Sequence, residues 1–301
     1  MKLEELARIY CSLSAVATIT ERGYLDTARQ LGNPRIHEIS LKKLTTIRDR
    51  CQSPFSWNSL LSKLRATIRF AVKNGWAKED HPVFKIKRLH AKPPHRLEIS
   101  ESDRDYFIEV ISKTARFEPT WFWTALFDVL YYSGIRRKQL CHLKWGDLDL
   151  DSSTITLRAA GSKNKRERML PLHAHLTKSL TIYRAHIGFA LDGLPIDSSM
   201  QVFHLATARQ FKIKKLEEFK PQAVTTFFNQ LSAASGRKIN AHLLRHSFAT
   251  KIAREIPNIK MVQLLLNHDR SDTTMRYIHP TLTDMRNVMS LPLTKENLSN
   301  K

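Results

Sequence analysis

Between His242 and Tyr277, 36 positions carry a guanidinium, imidazoles and a phenol, in the order His242-Leu-Leu-Arg245-His246, Leu264-Leu-Leu-Asn-His268 and Thr273-Thr-Met-Arg-Tyr277. This set suits attack on a phosphodiester, which needs charge neutralised at the non-bridging oxygens, a nucleophile in line, and a proton for the departing oxygen. Arginine fits the first need because its planar fork pairs two oxygens and stays protonated. Tyr277 is the candidate nucleophile. An unperturbed phenol with a pKa of about 10 is mostly neutral at pH 7, so a neighbour must take its proton. His242 stands three residues before Arg245, on the same helical face, and could take that role. Arg136, in Ser133-Gly-Ile-Arg136, lies at a helix junction where Gly134 permits a tight turn. His242 and His246 at i, i+4 also suggest zinc, but no glutamate follows His242 and Arg245 between them opposes a cation, so no metal is expected.

These residues need a scaffold, and the hydrophobic pattern predicts a mainly helical one. Lys2 to Thr18 and Ser40 to Arg50 read as helices. Ser56 to Gly75 is clearer, with Leu60, Leu61, Leu64, Ile68, Ala71 and Val72 at three- and four-residue steps. On that helix Arg65, Arg69 and Lys73 fall at i, i+4, i+8. With Lys42 and Lys43 they are candidate phosphate contacts, although a basic helical face is more often simply solvated. A stretch without periodicity, holding Pro93-Pro94, predicts a basic interdomain linker over 91–99, between a helical unit of 1–90 and a second domain of 100–280. Ser100-Glu-Ser-Asp103 has capping-box spacing and should open a helix. Thr120 to Ser133 reads as a buried helix that includes Trp121 and Trp123, while Thr154–Ala160 and Arg168–Leu172 read as a hairpin around a polar loop.

Composition limits the partners. Lys and Arg total 49 against 28 Asp and Glu, and a net charge of +21 spread over both halves calls for a polyanion, with nucleic acid ahead of a membrane surface. No apolar run approaches the roughly 18 residues of a membrane span and the N-terminus lacks signal-peptide order, so a cytoplasmic, nucleoid-associated protein is expected. Cys11, Cys51 and Cys141 are widely spaced and read as buried thiols.

The set Ser133-Gly-Ile-Arg136, Lys163 in the hairpin, His242-x-x-Arg245, Leu266-Asn-His268 and Thr273-Thr-x-x-Tyr277 resembles the tyrosine recombinase or phage integrase family, which includes the Xer-type recombinases. The resemblance covers about residues 97 to 290 with the boxes in order, and the nine-residue step from His268 to Tyr277 is the family's usual spacing. It implies an N-terminal helical core-binding (SAM-like) domain and a mixed α+β catalytic domain with a small antiparallel sheet, closing as a clamp on duplex DNA. It implies that Tyr277 becomes linked to a 3′-phosphate and that Arg136 and Arg245 clamp the phosphate oxygens. Lys163 protonates the leaving 5′-hydroxyl, and His242 and His268 handle protons and hydrogen-bond the phosphate. The covalent link stores the energy of the broken bond, so no cofactor is needed. A homotetramer on paired sites is implied, and an accessory DNA-bending or directionality protein is a candidate further partner. The tail 281–301 is expected to dock on a neighbouring subunit, and truncation after Pro280 should then impair assembly.

The chain departs from the family's pattern in three places. Gln139 stands where an acidic residue is common, which puts an orienting carboxylate in question. Asn267 replaces glycine in Leu-Gly-His, and Asn reaches the left-handed conformation at modest cost. Arg137 and Lys165 remain alternatives to Arg136 and Lys163.

Overall fold

The computed structural model describes residues 1–15, 18–91, 98–159, 167–191, 193, 195–204, 218–256, 258–266, 271–275 and 277. The chain forms two compact units, Met1–His95 and Arg96–Lys301. Residues 92–97 of the expected linker, the hairpin loop with Lys163 and Lys165, His268 and the tail 281–301 lie outside the described residues.

The first unit is helical: α1 (Leu3–Leu13), α2 (Thr18–Gln30), α3 (Leu41–Arg50), α4 (Pro54–Lys73) and the single turn α5 (Pro82–Lys85). Local chemistry sets the helix starts. The Ser40 and Ser53 hydroxyls accept the N–H groups of Lys43 and Ser56, and Pro54 occupies a first-turn position where its missing N–H has no consequence. α4 buries Trp57, Leu60, Leu61, Leu64, Ile68 and Ala71 against Leu3, Leu6, Leu44 and Val83. α2 escapes the sequence reading because its apolar residues are sparse, and the helix expected to run to Thr18 ends at Leu13.

Arg65 corrects the expected phosphate stripe. Its Nε donates to the carbonyl of Val83 at 3.2 Å and its Nη2 to that of Ile86 at 2.5 Å, so the guanidinium braces α4 against the segment after α5. Arg69 lies 5.8 Å from the centroid of the Phe84 ring. Arg69, Lys42 and Lys73 are exposed and Lys43 is half-buried. Cys51 is half-buried, against the expectation of burial, whereas Cys11 and Cys141 are buried.

The second unit runs α6 (Glu101–Lys113), α7 (Thr120–Ser133), α8 (Arg137–His142), β1 (Leu148–Asp149), β2 (Thr154–Leu157), β3 (Arg168–Pro171), α9 (Ala174–Ala190), α10 (Pro221–Ser235), α11 (Ala241–Glu255), α12 (Ile259–Leu265) and α13 (Ser271–Met275). The capping box forms as expected: Ser100 Oγ accepts the Asp103 N–H at 3.1 Å, and Asp103 Oδ2 accepts that of Ser100 at 3.0 Å. The Ser100 hydroxyl donates to Asp103 Oδ2 at 2.7 Å, and that bond, together with the one from the Ser100 N–H, holds the Asp103 carboxyl below its ordinary pKa. The sheet is antiparallel in the order β1-β2-β3, pairing Leu148 with Ile155 and Ile155 with Leu170. Ile155, Leu157 and Leu170 turn inward, so the sheet shares the core of α7, which contributes Phe122, Leu126, Phe127, Val129 and Leu130. Trp145 is buried there, while Trp121 and Trp123 are half-buried against the core, Trp123 stacking on Phe227 with centroids 4.8 Å apart. Among the described residues no helix is long and apolar enough to cross a membrane.

Candidate active site

The site begins where α7 stops. Gly134 takes the left-handed conformation (φ +59°) and returns its N–H to Leu130 at 3.2 Å, which turns the chain toward Ile135 and Arg136. A Cβ on Gly134 would lie 2.3 Å from Cδ1 of Phe248, so glycine is required both by the backbone and by the side chain of α11 against it. Arg136 then caps α8, its N–H accepted by Gln139 Oε1 at 2.8 Å. The amide thus performs a capping role open to a carboxylate. Gln139 Nε2 is buried without a hydrogen-bond partner among the described residues.

Asn240 opens α11 by accepting the Leu243 N–H at 2.8 Å, which places His242 in the first turn and Arg245 one turn on. Arg245 is only 7% exposed. Its Nη1 donates to the Gly134 carbonyl at 2.6 Å and its Nη2 to the Leu266 carbonyl at 2.5 Å. The two oxygens come from the end of α7 and the residue after α12, so the guanidinium is fixed by two separate helix ends. Burial pushes its pKa down to about 10, the neighbouring Arg136 charge adds to this, and Tyr277 acts in the opposite direction.

Arg136, His242 and Arg245 line one cavity of about 400 Å³, shared with Arg137, Thr225 and Asn229; among the described residues its lining contains no carboxylate. Arg137 donates from Nη1 to the Thr225 hydroxyl. That bond turns Arg137 toward α10, and it is the Arg136 charge that acts on Arg245. A larger cavity, about 600 Å³ along the C-terminal half of α11, is poorer in chemistry because its charges pair with one another, Arg254 with Glu98 at 2.6 Å and Lys251 with Glu101 at 3.1 Å.

Tyr277 follows α13 in a turn closed by its N–H to the Thr274 carbonyl at 2.9 Å. The residue is 8% exposed and sits in a small cluster with Ala249, Val262 and Leu266. Its ring meets that of His246 edge to face, with centroids 5.1 Å apart and an interplanar angle of 67°. Arg136, His242 and Arg245 thus share one cavity, and Tyr277, which packs on His246 and on Leu266 behind it, is near enough for its charge to act on Arg245. His268, Lys163 and Lys165 lie outside the described residues. The segments flanking them are tied, since Arg168 at the start of β3 donates from Nη1 to the Leu264 carbonyl of α12 at 2.9 Å.

Sequence reasoning missed His246, which it weighed only as a zinc ligand, and missed both carbonyls that hold Arg245. Among the described residues no group of three or more His, Cys, Asp or Glu gathers as a metal site. The i, i+4 spacing of His246 and Thr250 was a readable signal for the first.

Residues 108–283, more than half of the chain, match the model of the phage integrase family. The chain belongs to the phage integrase family. This integrase-family chain is 26% identical over 262 residues to the tyrosine recombinase XerA of Thermococcus onnurineus, covering 87% of this chain and 84% of the relative. It is 32% identical over 157 residues to the tyrosine recombinase XerC of Xanthomonas axonopodis pv. citri, covering 52% and 46%. The chain spans about half the length, or less, of the first curated relatives it matches, 51%, 40% and 46%. Its fold is that of the Tn1549 transposon integrase in complex with transposon right end DNA, with a TM-score of 0.73 and 17% identity over 96% of this chain and 98% of the other. A lambda integrase dimer bound to a COC' core site gives 0.69 and 18% over 93% and 77%.

The Gly134 geometry makes a direct prediction for this integrase fold. Gly134→Ala should destabilise the chain by about 2–4 kcal/mol, combining left-handed strain with overpacking against Phe248. Thermal melting should show the loss, and any cleavage activity should fall further than stability alone explains, because the same residue's carbonyl holds Arg245.

Proposed function

We propose that this chain is a site-specific DNA recombinase that cleaves and rejoins DNA through a covalent 3′-phosphotyrosine, integrating or excising a mobile element. The observation that carries the reading is a buried, twice-anchored Arg245 that shares a cavity with Arg136 and His242 and lies within electrostatic reach of Tyr277. In the step proposed, Tyr277 Oη attacks phosphorus as the P–O5′ bond breaks. Arg136 and Arg245 neutralise the non-bridging oxygens, where fixed donors stabilise developing charge most effectively. The phenolic proton passes to His242, and a lysine of the hairpin loop, Lys163 or Lys165, protonates the departing oxygen. His268 supports the phosphate. Rejoining reverses the exchange with a new 5′-hydroxyl and needs no cofactor.

Duplex DNA is the partner proposed, consistent with the charge of +21. The transposon integrase of the same fold is described in complex with DNA, and lambda integrase as a tetramer bound to a Holliday junction, which supports a homotetramer on paired sites here. An accessory DNA-bending protein and a cytoplasmic, nucleoid-associated location belong to the same reading. Lys42, Lys43, Arg69 and Lys73 are proposed phosphate contacts.

The test is a nicked duplex built from the DNA flanking the gene, in which the short fragment released after cleavage diffuses away and leaves the enzyme trapped. A denaturant-resistant adduct whose DNA-bearing peptide contains Tyr277 is expected. Relaxation of a supercoiled plasmid lacking such sites would favour a topoisomerase instead. DNA affinity should also fall with salt at a log–log slope of about 0.9 per neutralised phosphate, and a flat response in a binding titration would count against DNA.

A further inference from the structure

His246 is adjacent to Arg245 on α11 but is turned by about 100° around the helix, so its side chain leaves the carbonyl bracket and meets the nucleophile's ring. Thr250 restrains it. The Thr250 hydroxyl donates to the His246 carbonyl at 3.0 Å, and the same oxygen lies 3.4 Å from His246 Nδ1. The buried Thr250 thereby limits rotation of the ring.

Tyr277 needs such restraint. It follows a helix of only five residues, Ser271–Met275, and its N–H bonds the Thr274 carbonyl, so what packs against its ring bears on the direction of the phenol. Ala249, Val262 and Leu266 form an aliphatic wall without angular preference, whereas an edge-to-face aromatic pair has a preferred mutual orientation. Attack in line on phosphorus is sensitive to that direction, and a misplacement of about 1 Å can cost about 100-fold in rate.

We propose that His246 is a positioning residue for Tyr277, fixing the phenol through an aromatic edge and taking no proton itself. This rests on the recombinase reading for its effect on rate, but not for its effect on the ring. His246→Ala should slow adduct formation on the nicked duplex about 10- to 100-fold while changing DNA affinity less than about twofold. His246→Phe keeps an aromatic ring and loses both nitrogens; it should recover to within about threefold of wild type.

A second measurement is independent of activity. In protein labelled with 3-fluorotyrosine, the Tyr277 fluorine resonance, assigned by its loss in Tyr277→Phe, should shift and broaden in His246→Ala and return toward its original position in His246→Phe. An unmoved resonance in His246→Ala overturns the proposal, as does a phenylalanine variant as slow as the alanine one, which would make His246 a proton carrier. Absence of any adduct from wild type, with the resonance behaving as expected, would remove the recombinase reading and support the ring contact.

Discussion

Replacing Tyr277 by phenylalanine should abolish the proposed covalent protein–DNA adduct, a loss of at least about 10⁴-fold in the trapping rate, because in the proposed step the attacking oxygen is that of Tyr277. The substitution is a clean one. The ring volume that packs on Ala249, Val262 and Leu266 is unchanged, and the edge-to-face contact with His246 is retained. Loss of the hydroxyl should alter stability by no more than about 1 kcal/mol, the ordinary net worth of a hydrogen bond. DNA affinity should stay within about twofold in a titration at fixed salt, since the phenol contributes no positive charge. A variant that still forms the adduct would place the nucleophile on another residue, and one that fails to melt cooperatively would make the loss uninformative about chemistry.

What the sequence reveals about this site follows the range of the interactions that build it. The Ser100–Asp103 box and the end of α7 at Gly134 depend on neighbours within four positions, and both lie where the pattern predicts. The hairpin was legible as alternation, but β2 stops at Leu157 where the reading ran to Ala160, and β1 at Leu148–Asp149 is too short to show any period. Arg65 shows the limit from the other side. Its spacing with Arg69 and Lys73 is that of a phosphate stripe, yet its donors go to carbonyls 18 and 21 residues away, a partnership no helical period records. The same holds at the heart of the site. Arg245 was found from its motif, while the carbonyls that hold it lie 111 and 21 positions distant.

That bracket leads to the second large effect. Arg245→Lys should reduce adduct formation about 10³-fold or more, beyond the loss of a single transition-state donor. Arginine spends two of its five N–H groups on the Gly134 and Leu266 carbonyls and keeps the rest of its fork for the phosphate. A lysine ammonium concentrates three donors at one point. It can reach the carbonyls or the phosphate oxygens, and whichever it leaves is a buried polar group without its partner, at about 1–3 kcal/mol. Protonation does not relieve this at working pH. The pKa of Arg245 is depressed to about 10, so burial of its charge opposes folding at every pH below about 10 and is relieved only as pH rises from there toward the ordinary guanidinium value. Between pH 6 and 9 the guanidinium therefore stays charged, and the rate of adduct formation should show no limb from Arg245 in that interval. In the proposed reaction a phosphate entering the cavity would meet a buried cation that no carboxylate of the described lining balances. Single-turnover trapping of the lysine variant across that pH interval tests the argument, and retention of more than a tenth of the wild-type rate would mean that the two helix ends are not what aims Arg245.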